Sequence, residues 1–440
     1  MTNFKLIVGV SSVALGLAVA SAAFADDQAS TSPPPTSTAP PASPPASPPP
    51  APTPPPYPSM GPTLSNNANS ATFDAGPLGK LTVNGDISGL GFVQNNPGED
   101  LDLNQNKVAG VDLDNGLVTI QKTDGFAQFV VQAGVYSFPA LGTAYTTSTR
   151  TTTDLFGAVP VGYLKIVPNG EWSIEVGQLP TLIGAEAPFT YENMNIERGL
   201  LWNQEPLISR GAQVNWSKGP WAVSVSWNDG YYTGEWTSVS GNITYTFKNN
   251  DTLVFAAGGN ASDNFKTCIN NYPYCLNKPL INYYFGYGAP TAGSGPIGWA
   301  VPLGGQSQGD IFNLIWNHTA GKWALTAYGQ YDNVPSTTWF GPGGESWGIA
   351  GLAKYSINSE WSIAGRAEYE GSSGGANLLY GPGSTAWSIT ITPTYQKGIY
   401  FARIEGSYVG ISSGTLGDEF GEHANQNEQV RGMLEAGVMF

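Results

Sequence analysis

What most constrains this chain is how its turns are spaced. Sixteen segments alternate apolar and polar residues in the manner of β-strands, at about 79–94, 108–122, 126–137, 155–167, 171–179, 209–217, 220–229, 237–248, 251–260, 310–318, 322–333, 345–357, 360–371, 385–396, 399–411 and 428–440. Seven of their connections are tight-turn sequences: KTDG, VPNGE, SKGP, KNND, HTAGK, SINSE and QKG. The other eight are longer, and the two kinds strictly alternate. An up-and-down barrel with both termini at its short-turn end must produce this pattern, with short periplasmic turns, long external loops and an even strand number. A soluble sandwich has no reason to sort its loops in this way. The expected fold class is therefore all-β: a transmembrane antiparallel up-and-down β-barrel of about sixteen strands, occupying 76–440.

The stretch INSEWSIAGRAEYEGS (357–372) shows which face would be the outside. Trp361, Ile363, Gly365, Ala367 and Tyr369 share one face, and Arg366, Glu368 and Glu370 the other. In a soluble protein the charged face would meet water; in a barrel the apolar face meets lipid and the charges point into the lumen. The same parity assigns Lys165, Glu175, Arg366, Glu368, Glu370, Arg403, Glu405, Arg431 and Glu435 to a wet lumen wall. Like-sided Arg366/Glu368 and Arg403/Glu405 act either as structural ion pairs or as part of a transverse field facing an acidic loop. Arg210 shares parity with Ala212, Val214 and Trp216, so it is expected beyond the strand end or at a bulge. Closure of the ring is required, because hydrocarbon leaves an unpaired edge unsatisfied.

Tryptophan supplies a second sign. Trp172, Trp221, Trp323 and Trp361 each follow a short turn on the apolar face, while Trp347 and Trp387 open strands that follow long loops. Two aromatic girdles at the two membrane interfaces fit this register. The last strand, VRGMLEAGVMF, ends on an aromatic, Phe440, resembling the terminal signal read by barrel-assembly machinery. Only 12% of the chain is charged, against about 25% in typical soluble domains.

A barrel this wide leaves an aqueous channel, so whatever narrows it matters. The connection 180–208 carries Glu186, Glu192, Glu197 and Glu205, with Arg198 as its only basic residue. It also holds Leu182, Ile183, Phe189, Leu200, Leu201, Trp202 and Leu207, more apolar surface than a freely solvated loop tolerates. It is expected to fold into the barrel with its carboxylates near the pore axis; the alternative is an external loop packed on its neighbours.

The N-terminus reads as an export signal over 1–25: Lys5, an apolar stretch at 6–20 and the small-x-small site Ala23-Phe24-Ala25. A retained anchor is the alternative, but the stretch is short for a span of ~20 residues. Residues 26–75 form a leader that is proline-rich over 31–62, expected to be disordered in the periplasm, in extended polyproline II, or to serve as a stiff tether. Cys268 and Cys275, in CINNYPYC within the long loop 261–309, are expected to form a disulfide in an oxidising compartment. The formal charge of −15 argues against nucleic-acid binding and suggests modest cation preference. No metal or cofactor motif is present. The partners expected are outer-membrane lipid, barrel-assembly machinery, small hydrophilic solutes and further copies of the chain in a homo-oligomer, although no strand stands out as an interface.

The stretch GQLPTLIGAEAPFTYENMNIERGLLWNQEPLISRGAQVNW (177–216), followed by WNDGYYT (227–233), resembles the OmpL-like porins of the β-barrel porin-2 family, with matches at Gly184, Glu186, Asn193, Asn195, Arg198, Gly199, Arg210 and Gly211. The resemblance implies an outer-membrane pore for small hydrophilic solutes. The proline-rich leader and the cysteine-bearing loop depart from it. Three rivals stand beside it. A barrel enzyme needs a nucleophile with a base, and neither His318, in an expected turn, nor His423, after Asp418, Glu419 and Glu422, has a partner pattern. A loop-closed adhesive or structural barrel would use the aromatics of 261–309, among them Tyr272, Tyr274, Tyr283 and Tyr284. A soluble secreted β-protein leaves the loop alternation unexplained.

Overall fold

The computed structural model describes residues 60–97, 107–232, 234, 236–261, 309–336 and 342–440. A short strand β1 (Ala71–Asp74) precedes β2 (Lys80–Gln94), β3 (Ala109–Lys122), β4 (Ala127–Tyr136), β5 (Val161–Ile166), β6 (Trp172–Pro180), β7 (Ile208–Lys218), β8 (Trp221–Asn228) and β9 (Ser238–Thr246). There follow β10 (Thr252–Asn260), β11 (Asp310–Ala320), β12 (Trp323–Val334), β13 (Gly344–Ser356), β14 (Trp361–Gly374), β15 (Thr385–Lys397), β16 (Tyr400–Ser413) and β17 (Glu428–Met439).

From β2 onward every strand pairs antiparallel with its sequence neighbour, and β17 returns to β2. The result is a closed ring of sixteen strands, β2–β17. The closing seam runs from Arg431↔Gln94 to Met439↔Asp86. Just beyond it the Phe440 amide donates to the Gly85 carbonyl at 2.9 Å, and the Gly85 amide to Phe440 at 2.8 Å. β1 pairs with β2 from Ala71↔Val83 to Asp74↔Lys80, on the part of β2 that β17 does not reach.

The faces are sorted as the alternation requires. On β14, Trp361 is 47% exposed, whereas Arg366 and Glu370 are 2% and 1% exposed. Outward aromatics meet their neighbours at both ends of the strands. Near the short turns Trp221 packs on Tyr245 (ring centroids 4.7 Å), Trp323 on Tyr355 (4.7 Å), Trp361 on Tyr395 (4.9 Å) and Trp172 on Trp216 (6.3 Å). Near the long connections Trp347 meets Tyr369 (5.6 Å) and Trp387 meets Tyr408 (5.0 Å). The largest packed clusters lie inside the ring. One joins the inward residues Val254, Ile315, Tyr328, Ala350, Leu352 and Ala364 to Ala185, Met194 and Leu201 of the connection 180–208.

Several expectations need correction. The connection before β5 contains a short helix, α1 (Ser148–Asp154), and β5 starts at Val161 and not at 155. Leu155 and Phe156 are buried with Tyr136, Val161 and Tyr163, and Gly157, at φ +77°, ends the turn between them and the strand. Asp112 holds the helix start by accepting the Ser148 amide at 2.8 Å. The leader is not disordered up to residue 75: Met60 and Leu64 are buried, and 71–74 is β1. Arg210 lies neither beyond a strand end nor at a bulge, but in β7 opposite Gln178. Its Nε donates to Asp229 at 2.7 Å and its guanidinium lies 4.2 Å from the centroid of the Tyr232 ring, so charge and stacking partners replace water. His318 falls in β11, with Nδ1 2.6 Å from Asp251 and its ring stacked on Trp316. Residues 1–59, where the export signal is expected, and Cys268, Cys275 and the aromatics of 261–309 lie outside the described residues.

Candidate functional site

The connection 180–208 leaves β6 and returns to β7 through the interior of the ring. Its residues bond to inward side chains around much of the wall. Gly184 donates to Asn313 on β11 (3.0 Å), Gln330 on β12 to the Leu201 carbonyl (3.0 Å) and Ser346 on β13 to Gln204 (2.8 Å). Asn195 donates to Thr392 on β15 (2.7 Å), Asn115 on β3 to Thr190 (2.6 Å) and Gln132 on β4 to Tyr191 (2.7 Å). Six inward wall residues, on β3, β4, β11, β12, β13 and β15, thus bond to the connection. Close approach is needed at β13, where Gly348 carries no Cβ. A Cβ there would lie 2.8 Å from Leu201 Cδ1. Gly348→Val is expected to displace Leu201 and cost about 1–3 kcal/mol by overpacking, readable as a lower urea midpoint with an unchanged strand signal.

The charges on the wall hold the loop. Arg366 on β14 donates to Glu186 at 2.6 Å and to the Glu197 carbonyl at 2.8 Å, and lies 3.3 Å from Glu368. Glu368 in turn accepts the Leu200 amide at 3.0 Å. Glu405 on β16 accepts the consecutive amides of Ile196 (2.6 Å) and Glu197 (2.8 Å). Arg431 on β17 donates to Glu197 at 2.5 Å. Arg403 pairs with Glu435 (Nε to Oε2, 2.8 Å) and not with Glu405, although Glu405 is its like-sided neighbour. Lys165 and Glu175 pair across β5 and β6 at 2.9 Å.

This corrects the expected arrangement in two respects. The wall charges of β14, β16 and β17 do not face a wet lumen, because the loop covers them: Arg366, Arg403, Arg431 and Glu435 are all at most 2% exposed. The carboxylates of Glu186 and Glu197 likewise point to arginine partners and not to water, since a buried charge is tolerated only when paired; Glu205 is buried without a cationic partner. Of the two like-sided pairs, Arg366 and Glu368 lie 3.3 Å apart and Arg403 and Glu405 do not pair, while Arg366 and Arg431 face the loop's Glu186 and Glu197. Arg198 is fully buried, with its guanidinium 5.8 Å from the Phe138 ring centroid and 5.3 Å from that of Trp202. Glu205 accepts from Tyr328 at 3.4 Å, and burial holds its carboxyl well above the ordinary range. Burial also pushes the Glu192 carboxyl up to about 7.

Some participants escaped the sequence reading. Asp114 sits at a β-bulge in β3, between Asn115↔Ser88 and Leu113↔Gly89. The bulge turns it inward, where it accepts from Thr190 at 2.6 Å. The same Thr190 hydroxyl lies 3.0 Å from a Glu435 oxygen, which places this part of the loop between β3 and β17. Strict parity conceals a bulged residue, and no sequence signal marks it.

Residues 80–440 match the sequence profile of the family described as "Putative beta-barrel porin-2, OmpL-like". The chain belongs to this family. The porin barrel also resembles solved structures at low identity, which speaks to the fold alone. The outer membrane channel DcaP of Acinetobacter baumannii aligns at a TM-score of 0.53 and 11% identity, covering 84% of this chain and 100% of that one. An anion-selective porin from Comamonas acidovorans gives 0.52 and 8%, covering 82% and 99%. OmpT of Vibrio cholerae in a trimer form gives 0.50 and 8%, covering 82% and 99%. A search of curated proteins finds no match. Family and fold together place this porin in the outer membrane.

Proposed function

We propose that this porin is a passive, non-enzymatic channel for small hydrophilic solutes and ions, narrowed by the inserted loop 180–208. The observation that carries the reading is the closed sixteen-strand ring with its polar inward wall, crossed by a loop bonded to β3, β4 and β11–β15. The outward aromatics Trp172, Trp221, Trp323, Trp361, Trp347 and Trp387 fit two membrane-interface belts. Phe440, bonded at the seam, fits an assembly signal that is consumed when the ring closes. The leader would begin on the periplasmic side, and homo-oligomerisation in the membrane is part of the same reading.

Two of the loop's four acids, Glu186 and Glu197, are matched by the wall guanidiniums of Arg366 and Arg431, so these pairs add little net field of their own, and charge selectivity is expected to be weak. Recording of the refolded mature chain in planar bilayers under a salt gradient should show stepwise open conductances with a reversal potential near zero. A correctly folded barrel that inserts and stays silent would favour the adhesive or structural alternative. A strong preference for either ion sign would mean that unpaired charges outside the ladder set the field.

A further inference from the structure

The segment 60–65 behaves as a bound peptide inside the porin. The Met60 amide donates to the Ala185 carbonyl at 2.9 Å, and the Thr63 amide to the Asn193 carbonyl at 3.4 Å. The Thr63 hydroxyl donates to the Met194 carbonyl at 3.0 Å. Gln396 on β15 brackets Ser65: Oε1 accepts its amide and Nε2 donates to its carbonyl, both at 2.8 Å. Lys354 on β13 donates to the Pro62 carbonyl at 3.0 Å. Two side chains are anchors. Met60, 1% exposed, is packed in the cluster of Val254, Ile315, Tyr328 and Ala350 with Ala185 and Met194. Leu64, 3% exposed, is packed with Phe401 and Met439. Between them Gly61 and Pro62 remain exposed, and the stretch that follows toward β1 is largely exposed as well.

Main-chain bonds for affinity with pockets for spaced side chains are how proteins read extended peptides. We infer that the lumen beside the loop 180–208 contains a peptide-binding site, occupied in cis by residues 60–65. Its ligand is a short peptide that bends at the second anchor, with apolar anchors four residues apart and an exposed Gly-Pro between them. Three of the carbonyls it uses, Ala185, Asn193 and Met194, belong to the loop, so the bound segment is also a strap that fixes the loop against the wall. Tethering raises the effective concentration of the segment and keeps the site filled. The binding claim stands on its own, and only its effect on conductance rests on the channel reading.

The test uses the full chain with a protease site built into the exposed stretch 66–69 and cut after folding in detergent. The N-terminal fragment should stay with the barrel on size-exclusion chromatography. Met60→Asp with Leu64→Asp, which puts a charge into each pocket, should speed its release by about a hundredfold. Release should raise single-channel conductance by freeing the loop. If the unsubstituted fragment leaves as fast as the doubly substituted one, the site is refuted. Retention followed by release without any change in an open conductance would overturn the strap role. A nicked barrel that holds its fragment yet conducts in neither state would leave the peptide site standing and sink the channel reading.

Discussion

Arg366→Ala should destabilise the barrel by about 3–5 kcal/mol, the range for removing one partner of a buried ion pair. Arg366 is the single positive charge between Glu186 and Glu368, at 2.6 and 3.3 Å, and it also binds the Glu197 carbonyl and Thr390. Without it, two carboxylates are left buried beside each other and the loop loses its contact with β14. Arg366→Lys should recover only part of the loss, because an ammonium cannot reach Glu186, the Glu197 carbonyl and Thr390 together as the guanidinium fork does. The double variant Arg366→Met, Glu186→Gln removes both charges of the closest pair and should be milder than either single change. Urea unfolding in detergent would measure all three in one series. A loss below about 1 kcal/mol for Arg366→Ala, the range of an exposed pair, would show that water reaches the site and that the ladder does not hold the loop.

Gly85→Val should act earlier and more completely, on closure itself. Gly85 exchanges both backbone bonds with Phe440, and the Phe440 ring lies where a side chain at position 85 would go. A branched residue there forces the last residue of the chain out of the seam. In hydrocarbon an opened seam exposes unsatisfied amides and carbonyls, each worth several kcal/mol. The expected result is loss of the heat-modifiable, compact band on unboiled gels, with most of the protein failing to close. Gly89→Val is the control: it lies on the same strand, but a Cβ there meets only the Asp112 carbonyl, at 3.8 Å. If both variants fold equally well, the Phe440–Gly85 contact is dispensable for closure.

The wall of this porin was legible because it repeats. Strand count, closure and the outward face of β14 all follow from period-two alternation and from turn chemistry, which are local and recur sixteen times. The lining was legible only in outline. Parity aims Arg366, Arg403 and Arg431 inward, but nothing local says that Glu186, 180 residues away, will meet Arg366, or that Arg403 will choose Glu435 over Glu405. The apolar residues of 180–208 announced insertion because they had nowhere else to go. Its carboxylates were misread because their partners come from strands far along the chain. α1 was missed since STRTTTD has no amphipathic pattern and is held from outside by Asp112. Met60 and Leu64 were invisible for a related reason. Two apolar residues beside a proline-rich run carry no period, and five of the six bonds that place the segment use its own backbone groups, which sequence does not encode.

The position of 60–65 also constrains the order of events in making the barrel. The segment precedes β2 in the chain, yet it lies within the ring that β17 closes against β2. While the β2–β17 seam is open, the segment can be laid sideways onto the inner wall along with the loop. Once Phe440 has locked onto Gly85, the only way in is lengthwise through the mouth of a lumen already crossed by 180–208. Enclosure is therefore a matter of timing as much as affinity. A barrel that closes too soon would leave residues 60–65 outside its ring.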